Sequence, residues 1–353
     1  EIKTKPTQHS VMRLREIGLE PDILVCRTED ENHLTSKLKS KLGLFCNILK
    51  NYVFESPDVE TIYEIPLVLF KQGFDRAICK RLLLRNKKHN KIKSLEKFIR
   101  SYKNPRNSVN IAMCGKYNSL HDAYKSILEA LIHAGVENIS KVNVKWIDSE
   151  KLEKNNIQID SYFKDIDGII IPGGFGDRGI EGKILSAKYA RENNIPFLGI
   201  CLGLQCAVID YARHVCNMKN ANSTEFNSAV KFPVIDLMNK QKNVNKKGAT
   251  MRLGKYNCNV KSKTKASLAY GKRIIHERHR HRYEVNNKFR NKLIDNGLIV
   301  SGINKKLDLV EMIELENHPW FIGVQFHPEL KSRVLRSHPL FRDFIASAIK
   351  YDR

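Results

Sequence analysis

Asn193-Asn194-Ile195-Pro196-Phe197-Leu198-Gly199-Ile200-Cys201-Leu202-Gly203-Leu204-Gln205 is the stretch on which the reading of this chain turns. Ile195 to Ile200 is an apolar run short enough for a buried strand, and it runs straight into a cysteine flanked by glycines. Leu204, Val208, Tyr211 and Ala212 then follow at helical spacing. Strand, sharp turn and helix together push the turn residue out of the sheet, while Gly199 and Gly203 let neighbouring backbone come close. A helix N-terminus behind a thiol favours negative charge there. Taken alone, the stretch has two readings: a packed cysteine at a strand end, or a nucleophile.

Two further stretches bear on that choice. Phe326-His327-Pro328-Glu329 follows the apolar run Trp320 to Val324, so a second strand ends at a histidine with a carboxylate two residues on. A spacing of two puts both side chains on one side of an extended segment. Glu329 can then orient the His327 ring, and His327 can take the Cys201 proton. Ile169-Ile170-Ile171-Pro172-Gly173-Gly174-Phe175-Gly176 is an apolar strand that delivers a glycine-rich loop. Its backbone N–H groups suit the oxyanion formed when a thiolate attacks an amide. By itself such a loop is an ordinary turn; three elements of this kind at strand ends of one α/β segment point to chemistry.

Pro172-Gly173-Gly174-Phe175-Gly176, Gly199-Ile200-Cys201-Leu202-Gly203 and His327-Pro328-Glu329 resemble the signature of the triad-type (class I) glutamine amidotransferases. Lys3-Thr4-Lys5-Pro6-Thr7-Gln8-His9-Ser10, Asn222-Ser223-Thr224-Glu225-Phe226 and Glu277-Arg278-His279-Arg280-His281-Arg282-Tyr283-Glu284-Val285-Asn286 resemble the CTP synthase family more narrowly. The likeness runs from residue 1 to about residue 345. It implies glutamine hydrolysis through a glutamyl thioester on Cys201, with His327 and Glu329 completing the triad and the amides of Gly174 and Leu202 forming the oxyanion hole. Gly203, Leu204, Gln205, Glu225 and Arg282 are implied glutamine contacts, Glu225 reading the α-amino group and Arg282 the α-carboxylate.

For the remainder, the resemblance implies a UTP and feedback-CTP pocket at Lys3, Thr4, Lys5, Pro6, Thr7, Gln8 and Lys41. Arg27, Asp58 and Val59 are implied near ATP, and Phe175 and Arg252 near GTP, an allosteric activator. Thr250-Met251-Arg252-Leu253-Gly254 resembles the family's lid loop, although Gly248-Ala249 stands where two glycines are expected. The intact family enzyme uses ATP and Mg²⁺ to aminate UTP to CTP and works as a homotetramer. No phosphate loop and no acidic metal-ligand set is found in these residues, so a C-terminal portion that does not make CTP alone is expected. Glutamine hydrolysis needs no cofactor. Two other readings stay open: a triad amidotransferase serving GMP or carbamoyl phosphate synthesis, and a non-catalytic regulatory or filament-forming subunit.

Composition sets outer bounds. The 353 residues suit about two domains. Hydrophobic content of 42% beside 28% charged residues is that of a globular chain. No apolar run approaches the ~20 residues of a membrane helix, and no signal-peptide core opens the sequence. Eight cysteines without a CxxC pair fit a reduced, cytoplasmic setting better than zinc or disulfides. The net charge of +23 raises nucleic acid as a partner, yet the lysines are spread beside asparagine and isoleucine with no interleaved aromatics. Small-molecule substrates are expected instead, with neither nucleic acid nor membrane.

The order of elements predicts an α/β fold throughout. Residues 1–85 read as the end of an amidoligase domain, 86–107 as a basic linker compatible with a short helix over 94–102, and 108–353 as the amidotransferase domain. In the last, Val109–Met113, Val142–Ile147 and Ile166–Ile171 alternate with helices over 122–134 and 179–193. That alternation predicts a mostly parallel, doubly wound sheet with its site at the C-terminal strand ends. His279 and His281 alternate with arginines, which suits anion or carboxylate recognition and not a metal.

Overall fold

Proline at position 6 fixes where the first helix can begin, because only the first turn tolerates it. In the computed structural model, which describes residues 3–29, 33–85, 91–116, 121–154, 158–237 and 251–351, α1 accordingly spans Lys5–Glu16. The chain divides into two compact units, Glu1–Arg100 and Ser101–Arg353.

In the first unit, β1 (Leu24–Thr28) pairs in parallel with β2 (Val53–Pro57). Between them lies α2 (Ser36–Cys46), capped by the Thr35 hydroxyl, which accepts from Leu38 N–H, and ended by Asn47 in the left-handed region. Helices α3 (Ile65–Lys71) and α4 (Phe74–Arg81) follow. The core is small: Val11, Leu34, Leu42, Cys46, Ile48 and Val53. Within the expected linker, 86–90 lie outside the described residues, and Lys91–Lys103 forms helix α5. Its Phe98 and Ile99 are buried, Phe98 edge-on to Tyr63 at 4.9 Å. A helix that buries an aromatic ring is structure, not spacer.

The second unit is organised by short β-branched and aromatic runs. Its parallel strands are β3 (Asn107–Gly115), β4 (Ser140–Asp148), β5 (Gly168–Ile171) and β6 (Phe197–Ile200), separated by α6 (Lys125–Glu137), α7 (Ile159–Phe163) and α8 (Ile180–Glu192). Helix α9 (Leu202–His214) leaves β6. Then come β7 (Asn222–Ser223), β8 (Pro233–Leu237), β9 (Arg252–Val260), α10 (Lys265–Tyr270), β10 (Ile274–His281), β11 (Tyr283–Val285) and α11 (Asn287–Asp295). Strands β12 (Leu298–Asn304), β13 (Leu309–Leu315) and β14 (Phe321–Val324) precede the last helix, α12 (Pro339–Lys350).

Nine of these strands form one sheet in the order β10-β9-β12-β13-β14-β6-β5-β3-β4. From β14 to β4 it is parallel, as the sequence predicts; β13, β12, β9 and β10 extend it antiparallel. Strands β11, β8 and β7 make a separate small sheet. Period-two alternation sorts the core: Ile169, Ile171 and Phe197 point to the face covered by α8 and α9, Ile170, Leu198 and Ile200 to the face covered by α6 and α12. This is the doubly wound α/β arrangement. Residues 238–250, which include the basic loop Lys240–Lys247 and the Gly248-Ala249 pair, lie outside the described residues. Among the described residues no helix is long and apolar enough to cross a membrane.

Candidate active site

Strand β6 hands the chain to α9 through one residue, Cys201, whose backbone sits at φ 54°, ψ −100°. A non-glycine residue there is strained and persists only where its surroundings hold it. The Cys201 N–H donates to the Val324 carbonyl at 2.7 Å, and its own carbonyl accepts from Gln205 N–H at 3.3 Å. Glycines make the turn possible. A Cβ on Gly203 would stand 2.2 Å from the Ile171 carbonyl oxygen, and one on Gly199 2.7 Å from the Gly203 carbonyl carbon. Only bare backbone lets α9 lie this close to β5 and β6.

The parallel neighbour β14 delivers His327 to the same place. Its N–H donates to the Arg278 carbonyl at 2.8 Å, and its Nδ1 meets Glu329 Oε1 at 2.7 Å. That leaves Nε2, buried and without another partner, for Cys201. Gly173 shows how tightly the groups converge, since a Cβ on it would be 2.8 Å from His327 Cε1 and 3.5 Å from Cys201 Cβ. Burial opposes charge on His327, but the neighbouring Cys201 and Glu329 outweigh burial and push the imidazole up to about 10. A cationic ring beside sulfur is the arrangement that activates a cysteine nucleophile.

The glycine-rich loop lies against this pair. Gly174 abuts Leu202, its Cβ position 3.3 Å from Leu202 Cδ2. Leu202 opens α9, so its N–H has no partner inside the helix. Leu202 N–H, on the residue after Cys201, and the loop at Gly174 are the backbone groups expected to serve an oxyanion. Beyond them, Gly176 N–H donates to Glu225 Oε1 at 3.3 Å. Burial pushes the Glu225 carboxyl up, and the Gly176 bond, Arg282 and Lys116 act against that. The two candidate readers of a zwitterion, Glu225 and Arg282, therefore share one electrostatic neighbourhood at the loop.

The class-I glutamine amidotransferase family model matches residues 119–347, well over half of the chain. The chain belongs to the class-I glutamine amidotransferases. A second family model, the CTP synthase N-terminus, matches residues 1–84. CTP synthase of Clostridium kluyveri is 54% identical over 99% of this chain, and that of Clostridium acetobutylicum 53% over 99%. The chain spans 64% of the length of each of these relatives. Among solved structures, the glutaminase domain of Trypanosoma brucei CTPS with bound acivicin superposes with a TM-score of 0.65 at 37% identity, covering 69% of this chain and 95% of that one.

Several residues expected at the site of this amidotransferase have buried side chains. Leu204 is wholly buried in the core under α9. Gln205 is 3% exposed, its Nε2 donating to the Tyr283 carbonyl at 3.0 Å. Arg252, expected beside GTP, is 3% exposed, its guanidinium donating to Glu284 at 3.0 Å and to Glu311. Alternation along β10 turns His279 and His281 inward and Arg278 and Arg280 outward. The histidines meet protein carboxylates, His281 Nε2 and Glu284 at 2.7 Å and His279 Nε2 and Glu311 at 3.5 Å. Burial pushes Glu311 up to about 7 against the pull of Arg252.

In the first unit, Thr4 is buried and accepts from Gln8 Nε2 at 3.1 Å, whereas Lys3, Lys5, Pro6 and Lys41 are exposed and Thr7 is half-buried. Arg27 Nε donates to Asp58 at 2.9 Å on an exposed surface, and Val59 is half-buried beside it in sequence. Gln325 and Lys116 are the residues sequence reasoning missed. Gln325 stands two positions before His327, so the same spacing argument that found Glu329 applies to it. Lys116 Nζ donates to the Phe175 carbonyl, on the loop itself.

Proposed function

We propose that this chain hydrolyses glutamine to glutamate and ammonia through a thioester on Cys201. The observation that carries the reading is the convergence of Cys201 and His327 on Gly173, with Glu329 on the Nδ1 of the same ring. The sulfur attacks the side-chain amide carbon, and the oxyanion takes the N–H groups of Gly174 and Leu202. His327 gives its proton to the departing ammonia, then draws one from the water that cleaves the thioester. Glu329 holds the ring by Nδ1 throughout. The α-amino and α-carboxylate groups of glutamine suit Glu225 and Arg282.

The relatives and the match at residues 1–84 support assigning the intact protein as a CTP synthase that passes this ammonia to ATP-activated UTP. We assign Lys3, Thr4, Lys5, Pro6, Thr7, Gln8 and Lys41 to its UTP and CTP pocket. Arg27, Asp58 and Val59 belong to the ATP side, and Phe175, 43% exposed, to the GTP response. Among the described residues no three His, Cys, Asp or Glu side chains gather to hold a metal ion, so the Mg²⁺ of the family reaction enters no step here. The family's homotetramer and a cytoplasmic location complete the assignment; eight cysteines without a disulfide support the latter.

The test is labelling by acivicin, a glutamine-like electrophile. Mass spectrometry is expected to find the adduct on Cys201, with ammonia release abolished in parallel. An adduct that persists in Cys201→Ala sinks the assignment.

A further inference from the structure

Gln325 has no part in the chemistry described so far, yet it is wholly buried and its amide reaches the nucleophile. Its Nε2 donates to Cys201 Sγ at 3.8 Å, an ordinary length for a bond to sulfur. Its Oε1 accepts from Gln205 Nε2 at 3.5 Å, and the same Gln205 nitrogen donates to the Tyr283 carbonyl at 3.0 Å. The result is a row of buried amides running from β11 to the sulfur. Backbone bonds fix both sides of the row: Gln325 N–H to Glu311 O at 2.9 Å and His327 N–H to Arg278 O at 2.8 Å.

A side-chain amide has two faces, and the Gln205 clamp selects one. Gln205 presents N–H to Gln325, which obliges Gln325 to turn its oxygen that way and its NH₂ toward sulfur. Were the amide reversed, an oxygen lone pair would face the sulfur where negative charge resides. A buried donor to an ionised acceptor is worth more than one to a neutral group. We propose that Gln325 is a catalytic residue that stabilises the Cys201 thiolate by donating an N–H to it, and that Gln205 is the positioning residue that sets the direction of that amide. No proton passes through Gln325. The thiol proton goes to His327 Nε2, and the amide acts on the charge left behind, both before attack and when the thioester releases sulfur.

The proposal rests on Cys201 being the nucleophile, and its test is chosen so that the two can fail separately. Iodoacetamide alkylation of the Cys201 peptide, followed by mass spectrometry from pH 6 to 9, needs no glutamine turnover. Gln325→Met, matched in volume and without a donor, is expected to slow alkylation roughly tenfold at pH 7, with the loss vanishing toward pH 9. Its kcat for glutamine is expected to fall while KM stays put. Gln325→Glu, which adds negative charge beside sulfur, is expected to lose more. Gln205→Met keeps the donor but frees its direction, and a smaller shift of the same shape is expected.

A uniform slowing at every pH, or a risen KM with unchanged kcat, would assign Gln325 a packing role only and overturn the proposal. So would an unaltered alkylation profile in whichever of the three variants fold. A wild-type chain that fails to hydrolyse glutamine while Gln325→Met still shifts the profile would remove the proposed function and leave this inference standing.

Discussion

The two units of the chain spend their apolar residues differently. Around the nine-stranded sheet, both faces are covered by helices, and the largest wholly buried side chains include Phe197, Phe321, Phe326, Phe341 and Phe344. Among the described residues of the first unit the only side chain of that group is Leu42, while Ile17, Leu44, Leu49 and Leu83 are exposed, Leu83 to 93%. A two-stranded sheet has too little surface to shelter more. The catalysis proposed for Cys201 depends on sub-ångström placement, and that placement stands on the unit with the larger core. The small unit carries exposed lysines and arginines instead, the kind of surface that meets a phosphate.

The strongest way to break this contrast is at the elbow. Cys201→Ala is expected to lower glutamine hydrolysis by a factor on the order of 10⁵–10⁶ in an ammonia-release assay, with the thermal unfolding of both units retained. Residual turnover near wild type would move the chemistry elsewhere. Next in size is Gly203→Ala, whose methyl group must find room against the Ile171 carbonyl oxygen 2.2 Å away. Helix α9 has to shift, and roughly 10²-fold is expected to be lost in kcat. The assay is steady-state kinetics beside a crystal structure of the variant.

Truncating one leucine in each unit sharpens the comparison further. Leu340→Ala, in the core beneath α12, is expected to cost about 4 kcal/mol and Leu42→Ala about 2 kcal/mol, because the smaller core relaxes into the gap. Denaturant unfolding followed by peptide-level hydrogen exchange separates the units. Leu42→Ala is expected to leave glutamine hydrolysis within about twofold, since Leu42 belongs to the separate core cluster of the first unit.

The smallest effect concerns pH. His327 lies at about 10 in the folded chain against an ordinary 6.5. A raised histidine contributes stability that is complete below 6.5 and lost as pH climbs through about 10. Between pH 7 and 10 the wild-type Tm is therefore expected to fall more steeply than that of His327→Asn, by a few degrees on a domain of this size. Parallel slopes in differential scanning calorimetry would contradict the pairing of His327 with Cys201.

Much of the catalytic half could be read from residues alone, because its signals are local. A strand end, a glycine or a two-residue spacing specifies direction, and Cys201, His327, Glu329 and the Gly173-Gly174 loop each carry one. The parallel strands were also legible, β5, β6 and β14 as short apolar runs and β3 and β4 by the apolar residues at their centres. What escaped depends on partners far away in sequence. Arg252 looks like any exposed loop arginine until the fold brings Glu284 of β11 and Glu311 of β13 to it. Gln325 is an unremarked polar residue until α9 and β14 become neighbours. Helix α5 was legible only in part, as a short helix over 94–102: Leu95, Phe98, Ile99 and Tyr102 hold a helical stripe inside a segment whose charge suggested a linker. The antiparallel extension by β13, β12, β9 and β10 left no local mark, since nothing in a short apolar run says which edge it will join.

The left-handed backbone at Cys201 has a consequence for how inactive variants are interpreted. Alanine removes the sulfur and keeps the Cβ, so the strained dihedral angles survive in a molecule that gains nothing from them. Glycine adopts the same angles freely. Of two equally dead proteins, one still holds a compressed spring at the elbow and the other has let it go, and comparing their heat tolerance weighs what a poised thiol demands of the fold.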